Sequence, residues 1–312
     1  MERGTLEAAR RIKRINSKVK VLFYLNAMVH YEGYEANVEF NKNKRRWALP
    51  GRREGQEYLL WRNRFLAYDH TNPDFREWWI QRGLDMVAHE EIDGVFIDGI
   101  CKVGFGNGIR PGFTEAYLTT ANELRRRLPG GKLLIGNALR AGKGKDGNLS
   151  HLKYLDGSYL EGWAGVDSLE ETIELMSTAL KHNRIVMLNA HPHGLDKEEL
   201  KQIKSLDGRY EFLDDPRYVD FPLGFFLLTA GPNSYFSIRS GVDASAKKRC
   251  VWDNTRLDAV MRVLGEPTGD YVAEGNGVFT REFERLKVSV NIKTMEGRLA
   301  AKDGFGLGGD EL

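Results

Sequence analysis

Residues 94–98 read Gly-Val-Phe-Ile-Asp, a short apolar run that stops on a carboxylate. So continuous a run fits a strand buried on both faces, the pattern of a parallel sheet covered by helices. An aspartate at its exit is costly unless it is hydrogen-bonded or serves a site. Six further stretches have the same form: 19–26 (VKVLFYLN), 64–69 (RFLAYD), 132–137 (KLLIGN), 157–161 (GSYLE), 185–189 (IVMLN) and 234–239 (SYFSIR).

Helical signals fill the intervals. Thr71-Asn72-Pro73 supplies a cap and an early proline for a helix running to about His89, and Ser168 followed by Glu171 has capping-box spacing. Helices are also expected over 6–16, 114–128 and 168–181, with a helix apolar nearly all round at 221–229. Strands alternating with helices predict an α/β fold, a (β/α)8 barrel. Seven strands are visible where eight are wanted, and the order opens on a helix. The expectation is that the first strand is missing, through truncation or a misplaced start codon.

Two regions break the repeat. Residues 27–63 form a long insertion rich in aromatics and in base (Lys42, Lys44, Arg45, Arg46, Arg52, Arg53), read as a lid, a binding loop or a disordered segment. After the barrel, 255–264 reads as a helix, and 278–283 with 287–292 as a β-hairpin. The organisation is thus a barrel over 1–254 and a short helix and β-module over 255–312, packed on the barrel.

With 312 residues, 41% hydrophobic and 29% charged, the chain is long and apolar enough for one large folded domain. Its 46 basic and 44 acidic side chains leave +2, so no global field recruits nucleic acid or a membrane surface. Cys101 and Cys250 match no metal-ligand spacing, and the oligomeric state is not legible. No apolar run reaches the roughly 20 residues of a membrane span. The opening MERGTLEAARRIKR lacks the apolar core of a signal peptide. A lost upstream segment would have room for one, which points to a secreted or periplasmic protein under that reading.

In a parallel barrel the carboxyl ends of the strands converge on one mouth, where active sites lie. There the sequence places Asn26, Asp69, Asp98, Asn137, Glu161, Asn189 and the 237–239 region with Arg239, followed by His191 and His193. Carboxylates and amides are the groups that hold sugar hydroxyls and supply an acid and a base. Asp98 and Glu161 are the catalytic candidates, set against a cap and a buried ion pair as the plain structural readings. Strands are about 4.8 Å apart. Two strands apart, the carboxyls would lie about 5 to 9 Å from one another, which straddles retaining and inverting separations. The working reading is retaining, with Asp98 as nucleophile and Glu161 as acid/base.

Asp69 is divided between substrate contact and capping the helix that opens near Pro73. Asn26, Asn137, Asn189, His191 and Arg239 are read as substrate binders, and Trp163, after Gly162, as a ring to stack on a sugar. Tyr24 and Phe236 are read as core filling, and Trp78-Trp79 as helix packing. His191-Pro192-His193 lacks third and fourth ligands, so neither a metal nor a cofactor is expected. Gly104-Phe105-Gly106-Asn107-Gly108 misses the dinucleotide fingerprint.

Taken together, GVFIDGI, YDHTNPDFREWW, LLIGNALR, YLDGSYLEGW and SYFSIRSG resemble the hypothetical glycosyl-hydrolase-like barrel families. These are bacterial proteins near the endo-polygalactosaminidase type of glycoside hydrolase. The resemblance runs over about 19–283. It implies a TIM barrel, cleavage of a poly- or oligosaccharide, export, and a terminal β-module in VFTREFERLKVSVNI. It maps the family's strand-four aspartate to Asp98 and its strand-six glutamate to Glu161. The basic insertion raises an anionic polymer as the substrate, against a solvated charged loop. A barrel that binds glycan without cutting it is the alternative function, and a metal-dependent hydrolase centred on His191 and His193 a third.

Overall fold

The computed structural model describes residues 2–52, 54–143, 146–165, 168–190, 216–238, 255–302 and 307. His191, His193, Arg239 and Cys250 lie outside the described residues. The chain divides into two compact units, Met1–Leu139 with Lys143–Tyr159, and Arg140–Gly142 with Leu160–Leu312.

The first unit opens with α1 (Glu2–Ile15), β1 (Leu22–Asn26), α2 (Asn37–Trp47), β2 (Leu60–Trp61), β3 (Phe65–Leu66) and α3 (Pro73–Val87). Next come β4 (Gly94–Asp98), a 3-10 turn at Ile100–Lys102, α4 (Val103–Gly106), α5 (Phe113–Arg127), β5 (Leu133–Gly136) and β6 (Gly157–Leu160). Strands β1, β4, β5 and β6 pair in parallel in that order. The register sets Tyr24 beside Phe96 and Asn26 beside Asp98. Side chains alternate faces along a strand, so Tyr24 and Asn26 share one face of β1 while Phe23 and Leu25 are buried on the other.

Local chemistry starts and seats the helices. Asn72 caps α3, its Oδ1 accepting the Phe75 amide proton at 3.1 Å, with Pro73 in the first turn. Trp78 and Trp79 are both buried as expected, and the Trp79 indole also donates to the Asn26 carbonyl at 3.0 Å.

Residues 64–69 require a correction. Instead of a stave of the parallel sheet, β3 is the second arm of a hairpin with β2, antiparallel through Trp61 opposite Phe65. Strand β4 therefore follows β1 directly in the sheet, and the ordinals four and six given to the strands of Asp98 and Glu161 no longer hold.

The 27–63 insertion is ordered over its described residues. Its helix α2 sends Phe40 and Trp47 into a buried aromatic cluster with Tyr68, Phe75 and Trp78, and His30 stacks on Phe40 at 3.9 Å between centroids. Burial pushes His30 and His70 down to about 4, so both are neutral at neutral pH. His70 Nε2 lies 2.6 Å from the Ala27 carbonyl, which can only accept, so the proton sits on Nε2. This bond fastens the chain where it leaves β1.

The second unit contains α6 (Leu169–Lys181), β7 (Ile185–Ala190), α7 (Pro216–Leu227), β8 (Ser234–Ile238) and α8 (Thr255–Val263). It ends in β9 (Val272–Gly275), β10 (Val278–Glu282), β11 (Leu286–Asn291) and β12 (Glu296–Ala301). Ser168 caps α6, accepting from the Glu171 amide at 3.1 Å. Strands β7 and β8 pair in parallel. The expected C-terminal hairpin is the centre of a four-stranded antiparallel sheet, ordered β12-β11-β10-β9. Helix α7 packs on β11 and β12, and a Cβ at Gly297 would stand 2.2 Å from the Asp220 carbonyl. The buried Asp220 is gripped by Arg256 through two bonds of 2.9 and 2.7 Å.

Candidate active site

Asp98 ends β4 half-buried, and four donors converge on its carboxylate. Oδ2 accepts from the Tyr24 hydroxyl at 2.6 Å and from Asn26 Nδ2 at 3.4 Å. Oδ1 accepts from the Gly99 amide at 2.6 Å and from Asn137 Nδ2 at 3.2 Å. All four contacts are donated to it, which suits an anionic group that attacks or accepts and not one that gives a proton.

The donors are fixed in turn. Asn26 Oδ1 accepts the amide protons of Met28 at 2.9 Å and Val29 at 2.8 Å, so its NH2 must face Asp98 and Tyr24. Burial, then the Asp98 charge and the bond to it, push the Tyr24 phenol far above its ordinary range and keep it a donor. The Ala27 amide bonds the Asp98 carbonyl and the Asn137 amide the Ile97 carbonyl, both at 2.8 Å, extending the ladder just beyond the strands. Gly99 has φ +79°, and a Cβ there would sit 3.0 Å from Asn26 Oδ1, so glycine is what lets the chain turn beside the amide.

The structure thus brings together three residues singled out from sequence, Asn26, Asp98 and Asn137, and adds Tyr24. The signal for Tyr24 was two-residue alternation, since it precedes Asn26 by one repeat on the same face.

Asp69 is placed differently. It is buried, with Oδ1 accepting from the Thr71 amide at 3.0 Å and hydroxyl at 2.6 Å, and Oδ2 from Arg110 Nε at 3.2 Å. Oδ1 thus holds the approach to α3, the turn side of the sequence reading, while Oδ2 is paired with an arginine from the segment before α5.

In the second unit Glu161 follows β6, its backbone carbonyl accepting from Arg140, and Gly162 turns with φ +58°. Trp163 is a second correction. Its ring is 4% exposed, stacked on Phe225 at 4.4 Å, so it has no open face for a sugar. Its indole instead donates to the Asn189 carbonyl at 3.0 Å. Asn189 is fully buried; Oδ1 accepts the Ser237 hydroxyl proton at 3.0 Å, and Nδ2 has no partner among the described residues. A buried amide N–H left unbonded costs about 1 to 3 kcal/mol.

Among the described residues no group of three or more His, Cys, Asp or Glu side chains is arranged to hold a metal, and no helix is long and apolar enough to cross a membrane.

A family model spans residues 13–287 of the chain. The chain belongs to hypothetical glycosyl hydrolase family 15. No curated protein matches it in sequence. Among solved structures it is similar to the noncanonic maltogenic α-amylase AmyB from Thermotoga neapolitana, at 12% identity and TM-score 0.51, covering 91% of this chain and 68% of that one. The α-amylase from Geobacillus thermoleovorans matches at 12% identity and TM-score 0.50, over 89% and 66% of the two chains. The glycoside hydrolase domain of PelA from Pseudomonas aeruginosa matches at 14% identity and TM-score 0.42, over 64% and 76%. At such identities the two amylases speak for the fold alone, an α/β architecture of the TIM-barrel kind. Family membership is what ties this chain to glycoside hydrolases and carbohydrate.

Proposed function

We propose that this chain hydrolyses glycosidic bonds of a poly- or oligosaccharide, with Asp98 as nucleophile and Glu161 as general acid and base. The observation that carries the reading is the half-buried Asp98 carboxylate held by Tyr24, Asn26, Gly99 and Asn137 at the carboxyl end of a parallel strand. In the first step an Asp98 oxygen bonds to the anomeric carbon while the bond to the leaving oxygen breaks and Glu161 gives that oxygen its proton. In the second, Glu161 takes a proton from water, the hydroxide oxygen bonds to the anomeric carbon, and the Asp98 ester bond breaks to restore the carboxylate. Asn189, His191 and Arg239 remain assigned as sugar binders on sequence grounds.

An anionic substrate has less support than the insertion's composition suggested. Arg46 is paired with Asp74, Arg45 faces Glu57 at 3.9 Å, and Lys44 lies over the Tyr58 ring at 5.7 Å. Equal binding to sulfated and neutral glycans at low and high salt would remove the anionic reading.

The test of the function is a panel of polysaccharides incubated with the protein and analysed for products. Release of saccharides that stops in Asp98→Asn and Glu161→Gln supports hydrolysis. Binding to a glycan with no product from any polymer assigns the chain to the non-catalytic alternative.

A further inference from the structure

A cavity of about 620 Å³ opens in the first unit between the segments that follow β4 and β5. Both walls start close to the bond between Asp98 and Asn137. Ile100 and Cys101 come two and three residues after Asp98, and Asn148, in the opposite wall, is tied through its amide to the Ala138 carbonyl at 2.9 Å. Asp98 itself does not line the space.

The lining has a definite chemistry. Ile100 and Leu118 give it an apolar side, and Thr114, Ser150 and His151 give it hydroxyls and an imidazole. The Thr114 hydroxyl accepts from Asn107 Nδ2 at 2.8 Å, which leaves its own proton to donate. His151 Nδ1 meets the Tyr154 hydroxyl at 2.8 Å, so Nε2 is the nitrogen left for a ligand. Burial pushes His151 down, keeping the ring uncharged at neutral pH. The two charges present, Lys143 and Asp146, are opposite, and the Asp146 carboxylate already accepts the amide protons of Asn148 at 3.0 Å and Ser150 at 2.8 Å. A space of this size, uncharged overall, with one apolar side and groups that both donate and accept, matches a neutral sugar ring: C–H face on one side, hydroxyls on the other.

We propose that this cavity is a remote saccharide subsite, which holds neutral sugar units of a chain whose scissile bond lies at Asp98. The scissile bond, though not the cavity's chemistry, rests on the hydrolase reading.

Cys101, a free and half-exposed thiol in the lining, reports on occupancy. The full chain is alkylated with iodoacetamide in the presence of maltohexaose, cellohexaose, xylohexaose or chitohexaose, and the Cys101 peptide is followed by mass spectrometry apart from that of Cys250. At least one hexasaccharide should slow Cys101 alkylation about tenfold, and Leu118→Trp, which fills the space, should weaken calorimetric binding of that hexasaccharide by about tenfold. Absence of protection by all four overturns the subsite, as does wild-type affinity in a folded Leu118→Trp protein. Cleavage measured in the same samples separates the two ideas. Protection in a protein that releases no product from any polymer of the panel keeps the subsite and removes the hydrolase reading, whereas cleavage without protection does the reverse.

Discussion

The Tyr24 hydroxyl stands 2.6 Å from Asp98 Oδ2, across a parallel strand pair whose register sets Asn26, two residues further on, directly beside Asp98. The sheet itself therefore aims the carboxylate: two strands, each ending on a polar side chain, bring donor and acceptor to the same height.

Tyr24→Phe removes one of four donors and little volume. A hydrogen bond to a charged group contributes about 1.5 to 3 kcal/mol, so kcat on a cleaved substrate should fall about ten- to a hundredfold with KM little changed. Thermal melting of the variant should fall by only a few degrees. An unaltered kcat means the phenol does not position Asp98.

His30 and His70 make the fold acid-sensitive. Their folded values of about 4 lie below the ordinary 6.5, so between these limits the unfolded chain binds more protons than the folded one. The stability they confer is complete above pH 6.5, drains away as pH falls, and levels off below about 4, with a ceiling of about 3 kcal/mol for each. Urea unfolding midpoints at pH 7.5, 5.5 and 4.5 measure the decline, and His70→Gln should flatten it. A midpoint independent of pH over this range contradicts the buried neutral assignment.

Trp163→Ala should act on stability and not on substrate affinity. Truncating a buried indole costs about 3 to 5 kcal/mol. Denaturant unfolding should show that loss, while a selective rise in KM at unchanged stability would restore the sugar-stacking role.

Seating of α7 on the terminal sheet is tested by two substitutions. Gly297→Ala drives a methyl against the Asp220 carbonyl, and Arg256→Met strands the buried Asp220 carboxylate, with an expected cost of about 3 to 5 kcal/mol for the latter. Both should lower Tm, and a wild-type melting curve for Arg256→Met would show that the ion pair is dispensable.

Much of this was open to reading in the sequence, for reasons that can be stated. GVFID, KLLIGN and IVMLN announce buried strands because their middles are continuously apolar and only their ends are polar, and Asn72 and Ser168 announce helix starts because their side chains can bond the first free amides. RFLAYD misled because an apolar run of that length does not reveal its partner. The partner strand ends at Trp61, three residues before Arg64, and the turn passes through Arg62 and Asn63 with φ of +53° and +56°; arginine in that conformation gives none of the usual Asn-Gly signal. Trp163 misled because the rings that cover it, Phe221 and Phe225, are distant in sequence. Tyr24 was visible as an alternation partner of Asn26, but a tyrosine within an apolar strand is equally suited to filling a core.

Hydrolysis as proposed depends first on Asp98 being the group that attacks. The measurement that reaches it most directly is kcat of Asp98→Asn on the polymer the wild-type protein cleaves, alongside its affinity for that polymer. A fall of at least about a thousandfold at nearly unchanged affinity is expected, since the amide keeps the shape and loses the nucleophile. Turnover within about tenfold of wild type would contradict it.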